Sequence, residues 1–162
     1  MSLAGTWKGE YVFEETKDGG SRLVVGTVVS FTMELKEGWF GTVTGTIKED
    51  PEVGFPEEGV IKGKIKGTVL VFEKAMPKLR MMHEKKRTTL DEIVERYSVV
   101  MDTEEKHPKI RHIGDLSADG NTIEGTWLSP EFSLNIPGSS QSIGIPKLAG
   151  TFKMTRAQGG NQ

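Results

Sequence analysis

Leu3-Ala4-Gly5-Thr6-Trp7-Lys8, near the start of the chain, is echoed by Leu148-Ala149-Gly150-Thr151-Phe152-Lys153 near its end. Each sextet runs into a period-two pattern. Gly5, Trp7, Gly9, Tyr11 and Phe13 alternate with Thr6, Lys8, Glu10 and Val12, while Phe152, Met154 and Arg156 share one face of the final run. Such alternation describes a strand with one buried face. Two strands with matching text at opposite ends of a chain read as neighbours across a seam. Closure also removes exposed strand edges, so a closed barrel is preferred over an open sandwich.

The text between the two sextets keeps the same grammar. Seven of the twenty glycines are followed by threonine, at Gly5, Gly26, Gly41, Gly45, Gly67, Gly125 and Gly150. Glycine among β-branched residues marks places where strands bend or backbones approach closely, as a small barrel requires. A strand rich in valine, threonine and phenylalanine is expected from Leu23 to Leu35, with Val29, Phe31, Met33 and Leu35 on one face. After the Glu37-Gly38 turn, Gly41, Val43, Gly45 and Ile47 oppose Thr42, Thr44, Thr46 and Lys48. Ile61, Gly63 and Ile65 oppose Lys62, Lys64 and Lys66, and Val69 to Glu73 returns after Gly67. Asp119-Gly120 joins His112, Gly114 and Leu116 to Ile123, Gly125 and Trp127 as a hairpin. About eight to ten short strands in local hairpins make an all-β, antiparallel up-and-down β-barrel the expected fold.

Two stretches depart from this text. Met76 to Pro108 turns strongly charged and reads as an insertion. Thr88 or Thr89 before Asp91 or Glu92 resembles a helix start, and Leu90, Ile93, Val94 and Tyr97 recur at helical spacing. A short helix is therefore expected over Thr89 to Arg96, then a strand through Tyr97 to Asp102, making the insertion partly helical. Pro130 to Pro146 reads as a long loop held in part by Phe132 and Leu134. Residues 157–162 are expected to form a flexible tail.

At 162 residues the chain fits a single domain, 1–162, with the insertion inside it. The formal charge of −2 is spread over intermixed acids and bases, so neither nucleic acid nor a membrane is expected as a partner. Lys85-Lys86-Arg87 is the one basic cluster, and the acids from Asp91 to Glu105 neutralise it. Cysteine is absent, which excludes disulfides, thiolate metal sites and thiol nucleophiles. No apolar run approaches the length of a spanning helix and no leader pattern opens the chain at Met1 to Gly9, so a soluble, cytoplasmic protein is expected.

Gly5-Thr6-Trp7 and the run Ile113-Gly114-Asp115-Leu116-Ser117-Ala118-Asp119-Gly120-Asn121-Thr122-Ile123-Glu124-Gly125-Thr126-Trp127 carry a resemblance to the calycin group: lipocalins, intracellular fatty-acid-binding proteins and avidin-like proteins. The hairpin is similar to uncharacterised bacterial lipocalin-like domains in particular. The resemblance implies that a basic residue of the last strand packs over the early tryptophan at the closed end, which assigns structural barrel closure to Trp7 and Arg156. It does not carry a ligand across. The last strand lacks an Arg-x-Tyr carboxylate pair, and Asp18-Gly19-Gly20 leads straight into a strand where fatty-acid-binding proteins place a helical lid.

Trp7, Tyr11, Phe31, Met33, His112 and Trp127 are the candidate ligand-binding residues, since alternation turns all six inward. Interior glycines are expected to leave room beside them, Gly41 and Gly45 above all. No catalytic residue and no cofactor is assigned. Glu10, Glu34 and Asp115 alternate outward, so paired-carboxylate chemistry has no support. His107 and His112, five apart, fall on opposite faces of a continuous strand, and with His83 they make no metal site. The preferred reading is a non-enzymatic binding barrel for a small, mostly apolar molecule. A barrel enzyme of isomerase or cyclase type, using His112 or Tyr11, is one alternative. A solid barrel that contacts a partner or a second copy through its insertion, with Met76, Met81, Met82 and Tyr97 exposed, is the other.

Overall fold

The structure, a computed structural model, describes residues 2–15, 24–83, 86–89, 107–135, 140 and 142–157. The described residues form twelve strands: β1 (Gly5–Glu14), β2 (Val28–Glu37), β3 (Thr42–Glu49), β4 (Gly59–Lys66), β5 (Val69–Ala75), β6 (Arg80–His83), β7 (Lys86–Thr89), β8 (Ile110–Leu116), β9 (Thr122–Ser129), β10 (Phe132–Asn135), β11 (Ser142–Ile145) and β12 (Leu148–Arg156). Eight of them close an antiparallel barrel in the order β1-β12-β9-β8-β5-β4-β3-β2. Every barrel strand lies beside the next barrel strand in the chain, so the topology is up-and-down and all-β, the architecture the calycin-type resemblance implies.

The two sextets meet at the seam. β1 pairs with β12 from Trp7 opposite Arg156 to Glu14 opposite Ala149. Inward alternation then buries Trp7, Tyr11 and Phe13 from β1, Val29, Phe31, Met33 and Leu35 from β2, and Phe152 and Met154 from β12 in one apolar core. The two faces of each strand thus separate water from core as the sequence pattern requires.

Four expectations are corrected. The insertion does not open with a helix: β6 and β7 pair as a hairpin with Arg80 opposite Thr89, and a 3₁₀ turn at Trp39–Gly41 is the sole helical assignment among the described residues. Thr89, the expected helix start, ends β7; residues 90–106, which hold the rest of that helix and the Tyr97 to Asp102 strand, lie outside the described residues. Inside Pro130 to Pro146, β10 and β11 pair where a loop is expected. β2 begins at Val28, after a turn in which Gly26 donates to the Phe13 carbonyl. Gly41 is part of the β2–β3 turn and lies off the inner face.

The two ends of the barrel differ. One end carries the short β2–β3, β4–β5 and β8–β9 turns together with the chain's first and last strand ends. The other carries the four long connections, β1 to β2, β3 to β4, β5 to β8 and β9 to β12.

Candidate functional site

The short-turn end is plugged. The Trp7 indole donates to the Leu3 carbonyl at 2.9 Å, and the Arg156 guanidinium lies 4.5 Å from the Trp7 ring centroid. Arg156 also donates to the carbonyls of Ala4, Ser2 and Gly120, tying together the segment before β1 and the β8–β9 turn. Met33 sits opposite Trp7 in the β1–β2 register and belongs to this floor.

Nearer the long-connection end, aromatic rings assemble around Tyr11. Its ring centroid lies 5.5 Å from Trp127 and 6.2 Å from Phe31, and Phe13 stands edge-on to Trp127 at 5.0 Å. The Trp127 indole donates to the Val12 carbonyl. Gly150 makes that approach possible, because a Cβ there would lie 2.7 Å from the indole nitrogen.

Within this apolar surround sits a buried polar cluster that the inward alternation of β3 and β5 produces. Val43, Gly45, Ile47 and Glu49 continue one face of β3, and Leu70, Phe72 and Lys74 continue one face of β5, so each strand's last inward position carries a charge. The Lys74 ammonium donates to Glu49 Oε2 at 2.5 Å, and both side chains are fully enclosed. Tyr11 Oη donates to Glu49 Oε1 at 2.7 Å, and the Phe55 backbone N–H donates to the same oxygen at 3.0 Å. The ammonium also lies over the Tyr11 ring, 4.5 Å from its centroid. One carboxylate therefore links β1, β5 and the β3–β4 connection.

His112, on β8, is 3% exposed. It stacks on Phe72 with centroids 4.5 Å apart and planes 12° from parallel, and Phe152 meets it edge-on. Burial first, then the Lys74 charge, pushes its pKa down from 6.5 to about 3, so the imidazole is neutral. Its Nδ1 finds no hydrogen-bond partner among the described residues, and Thr27 Oγ1 is the other buried side-chain atom in that position. Buried polar atoms are nearly always satisfied, so each such orphan asks for a partner beyond the described residues.

Of the six candidate ligand residues, Tyr11, Phe31, Trp127 and His112 come together in the upper barrel, whereas Trp7 and Met33 lie at the floor. Glu49 and Lys74 were not among them. Their signal was present: extending the Val43-Gly45-Ile47 and Leu70-Phe72 alternations by one further inward position reaches both.

Other expectations change. His107 and His112 do not lie on opposite faces of one strand, because β8 begins at Ile110; His107 precedes it, is itself buried, and stands edge-on to Phe55 at 5.2 Å. The interior glycines are not open space. Leu35 reaches to 3.0 Å of where a Gly45 Cβ would sit, Phe72 to 2.6 Å at Gly63, and Ile123 and Phe152 to within 2.9 Å at Gly114. Met76, whose exposure would favour the interaction-module alternative, is buried against Gly59. Two concavities bounded by described residues, of about 750 and 590 Å³, lie on the outer wall beside Glu10, the first over β8, β9 and β12 and the second over β2 and β3. No group of acids and histidines able to hold a metal ion occurs among the described residues.

No protein-family model matches the chain, and no curated protein gives a significant match. Among solved structures the chain is similar to the crystal structure of rhizavidin, with a TM-score of 0.40 and 13% sequence identity over 96% of this chain and 87% of that one. So distant a likeness leaves the fold to be read from the strand pairing itself.

Proposed function

We propose that the protein is a lipocalin-like binding barrel that takes a small, mostly apolar and uncharged molecule at its upper end, beneath the long connections, where entry requires the packed interior side chains to part. The observation that carries this reading is the buried Glu49–Lys74–Tyr11 cluster beside an imidazole whose Nδ1 lacks a partner among the described residues. A buried ion pair is no better for stability than well-packed apolar residues of the same volume, so its presence in an apolar core argues for a task other than folding. A few converging polar groups on an apolar wall are the usual make-up of a small-molecule site. In this proposal Tyr11, Phe31, Trp127 and His112 line the site, Glu49 and Lys74 form its polar wall, and Trp7, Met33 and Arg156 close the floor.

The charge of the ligand follows from the same residues. Lys74 is paired with Glu49, and the His112 pKa of about 3 leaves its imidazole neutral, so the described interior has no surplus positive charge for a carboxylate. A hydroxyl or carbonyl paired with Nδ1 fits. An imidazole held that far down is also a weak base at neutral pH, which disfavours the acid/base enzyme reading.

The test is displacement of the uncharged dye Nile red by a long-chain 1-alkanol and by the alkanoate of equal length, with native mass spectrometry of freshly purified protein alongside. The alkanol displaces the dye, the alkanoate does so much more weakly, and His112→Phe weakens the alkanol. Failure of the wild-type protein to bind dye or alkanol rejects the proposal, as does equal binding of the alkanoate.

A further inference from the structure

The β2–β3 turn presents the two most exposed large apolar residues described: Trp39 is 85% and Phe40 95% exposed. They are adjacent, at the tip of a hairpin on the plugged end, remote in topology from the polar cluster. The turn is also conformationally expensive. Phe40 has φ 58° and ψ 35°, Gly41 has φ 75°, and the Thr42 N–H donates to the Trp39 carbonyl, which makes a tight turn with two left-handed central residues. Such turns favour Asn, Asp or Gly at the first central position. A bulky aromatic there is strained and unburied, so neither folding nor packing accounts for it, and strain of this kind clusters at functional positions.

The wall beside the tip is cationic and partly apolar. Lys62, Lys64 and Lys66 stand in a row on the outer face of β4, with Thr44 and Thr42 opposite the first two on β3, and Val71 and Val69 opposite the last two on β5. Val69 and Val71 are exposed as well. Lys36 adds a fourth charge on β2, and these four lysines make no ion pair among the described residues. Glu34 and Glu37 lie on the same hairpin and accept from the Thr6 hydroxyl and the Leu3 N–H, and Glu73 stands opposite Lys62 on β5, near Lys109 and Arg111. The lysines are gathered on one wall even though the net charge of the chain is −2.

We propose that Trp39 and Phe40, with the lysine row on β4, form an anchor for an anionic lipid surface, the rings entering the headgroup layer and the lysines meeting its charge. Tryptophan and lysine are the side chains that settle at that boundary, and each lysine near it adds attraction that salt screens. The barrel then stands on its plugged end with the long connections facing away.

The three tryptophans make the test direct, because Trp7 and Trp127 are buried and Trp39 alone is exposed. The full chain is mixed with vesicles of phosphatidylserine and phosphatidylcholine, or of phosphatidylcholine alone, and followed by co-sedimentation and tryptophan emission. Sedimentation with the anionic vesicles, a blue shift with protection from acrylamide, and reversal by salt are expected. Lys64→Ser with Lys66→Ser lowers affinity roughly tenfold or more. Phe40→Asn abolishes most of the binding yet raises the thermal midpoint, because asparagine accepts the left-handed turn. Trp39→Ser, which leaves the turn geometry alone, also loses binding. Folded wild-type protein that stays in solution with anionic vesicles overturns the proposal. So do variants that bind as tightly as wild type, or an emission shift without lipid that accompanies doubling of the mass, which assigns the tip to a second copy.

Discussion

Glu49 concentrates the chemistry of the interior, since its carboxylate receives Tyr11, Lys74 and the Phe55 N–H at once. Removing one partner strands the other charge in an apolar surround. Glu49→Ala is therefore expected to lose roughly 3–5 kcal/mol in urea unfolding, whereas Glu49→Leu combined with Lys74→Met recovers most of that loss. A double variant that is stable yet no longer binds the alkanol separates the ligand role from the fold. His112 supplies a pH signature. Its pKa falls from 6.5 to about 3 on folding, so the unfolded chain takes up the proton first. The stability from keeping the imidazole neutral is complete above pH 6.5 and is lost as pH falls toward 3, by roughly 1.4 kcal/mol per unit. Wild type should lose stability relative to His112→Phe as pH falls through that window; a pH-independent difference rejects the assignment.

At the level of strands, most of the fold is legible in the residues because alternation states which face is wet. The β1–β12 seam, the lysine-outward face of β4 and the β8–β9 hairpin follow directly from their text. The Gly-Thr pairs divide once neighbours are in place. Gly150 is a close-approach site, where the Val12 carbonyl and the Trp127 indole occupy the space of a side chain. Gly150→Ala is expected to destabilise by about 1–3 kcal/mol and to shift the emission of Trp127, measured in a Trp39→Phe background. Gly45, Gly63 and Gly114 show why sequence could not tell a void from a packed gap: a missing side chain is filled from nearby strands, here by Leu35, Phe72, Ile123 and Phe152. The text that carries helix and strand signals together, 88–102, lies outside the described residues beyond Thr89, where β7 ends.

For the whole molecule, the asymmetry of the two ends is the organising fact. Arg156 and Trp7 fasten the short-turn end, and Arg156→Ala removes three carbonyl contacts and the ring contact there. A loss of roughly 1–3 kcal/mol is expected by thermal unfolding, with alkanol binding at neutral pH unchanged, because the proposed site lies toward the other end. A matching loss of binding places the ligand at the floor instead. The sequence by itself determined the strand text, the inward and outward faces and the closing of first strand on last, because these depend on local periodicity and on the cost of exposed edges. Only the tertiary structure decided that Glu49, Lys74, Tyr11 and His112 meet, that the glycine gaps are filled, and that Trp39 and Phe40 stand in the open. The first depends on registers between strands distant in the chain, and the other two on how neighbouring strands and a tight turn set side chains beside one another or into the open; alternation along one strand records neither.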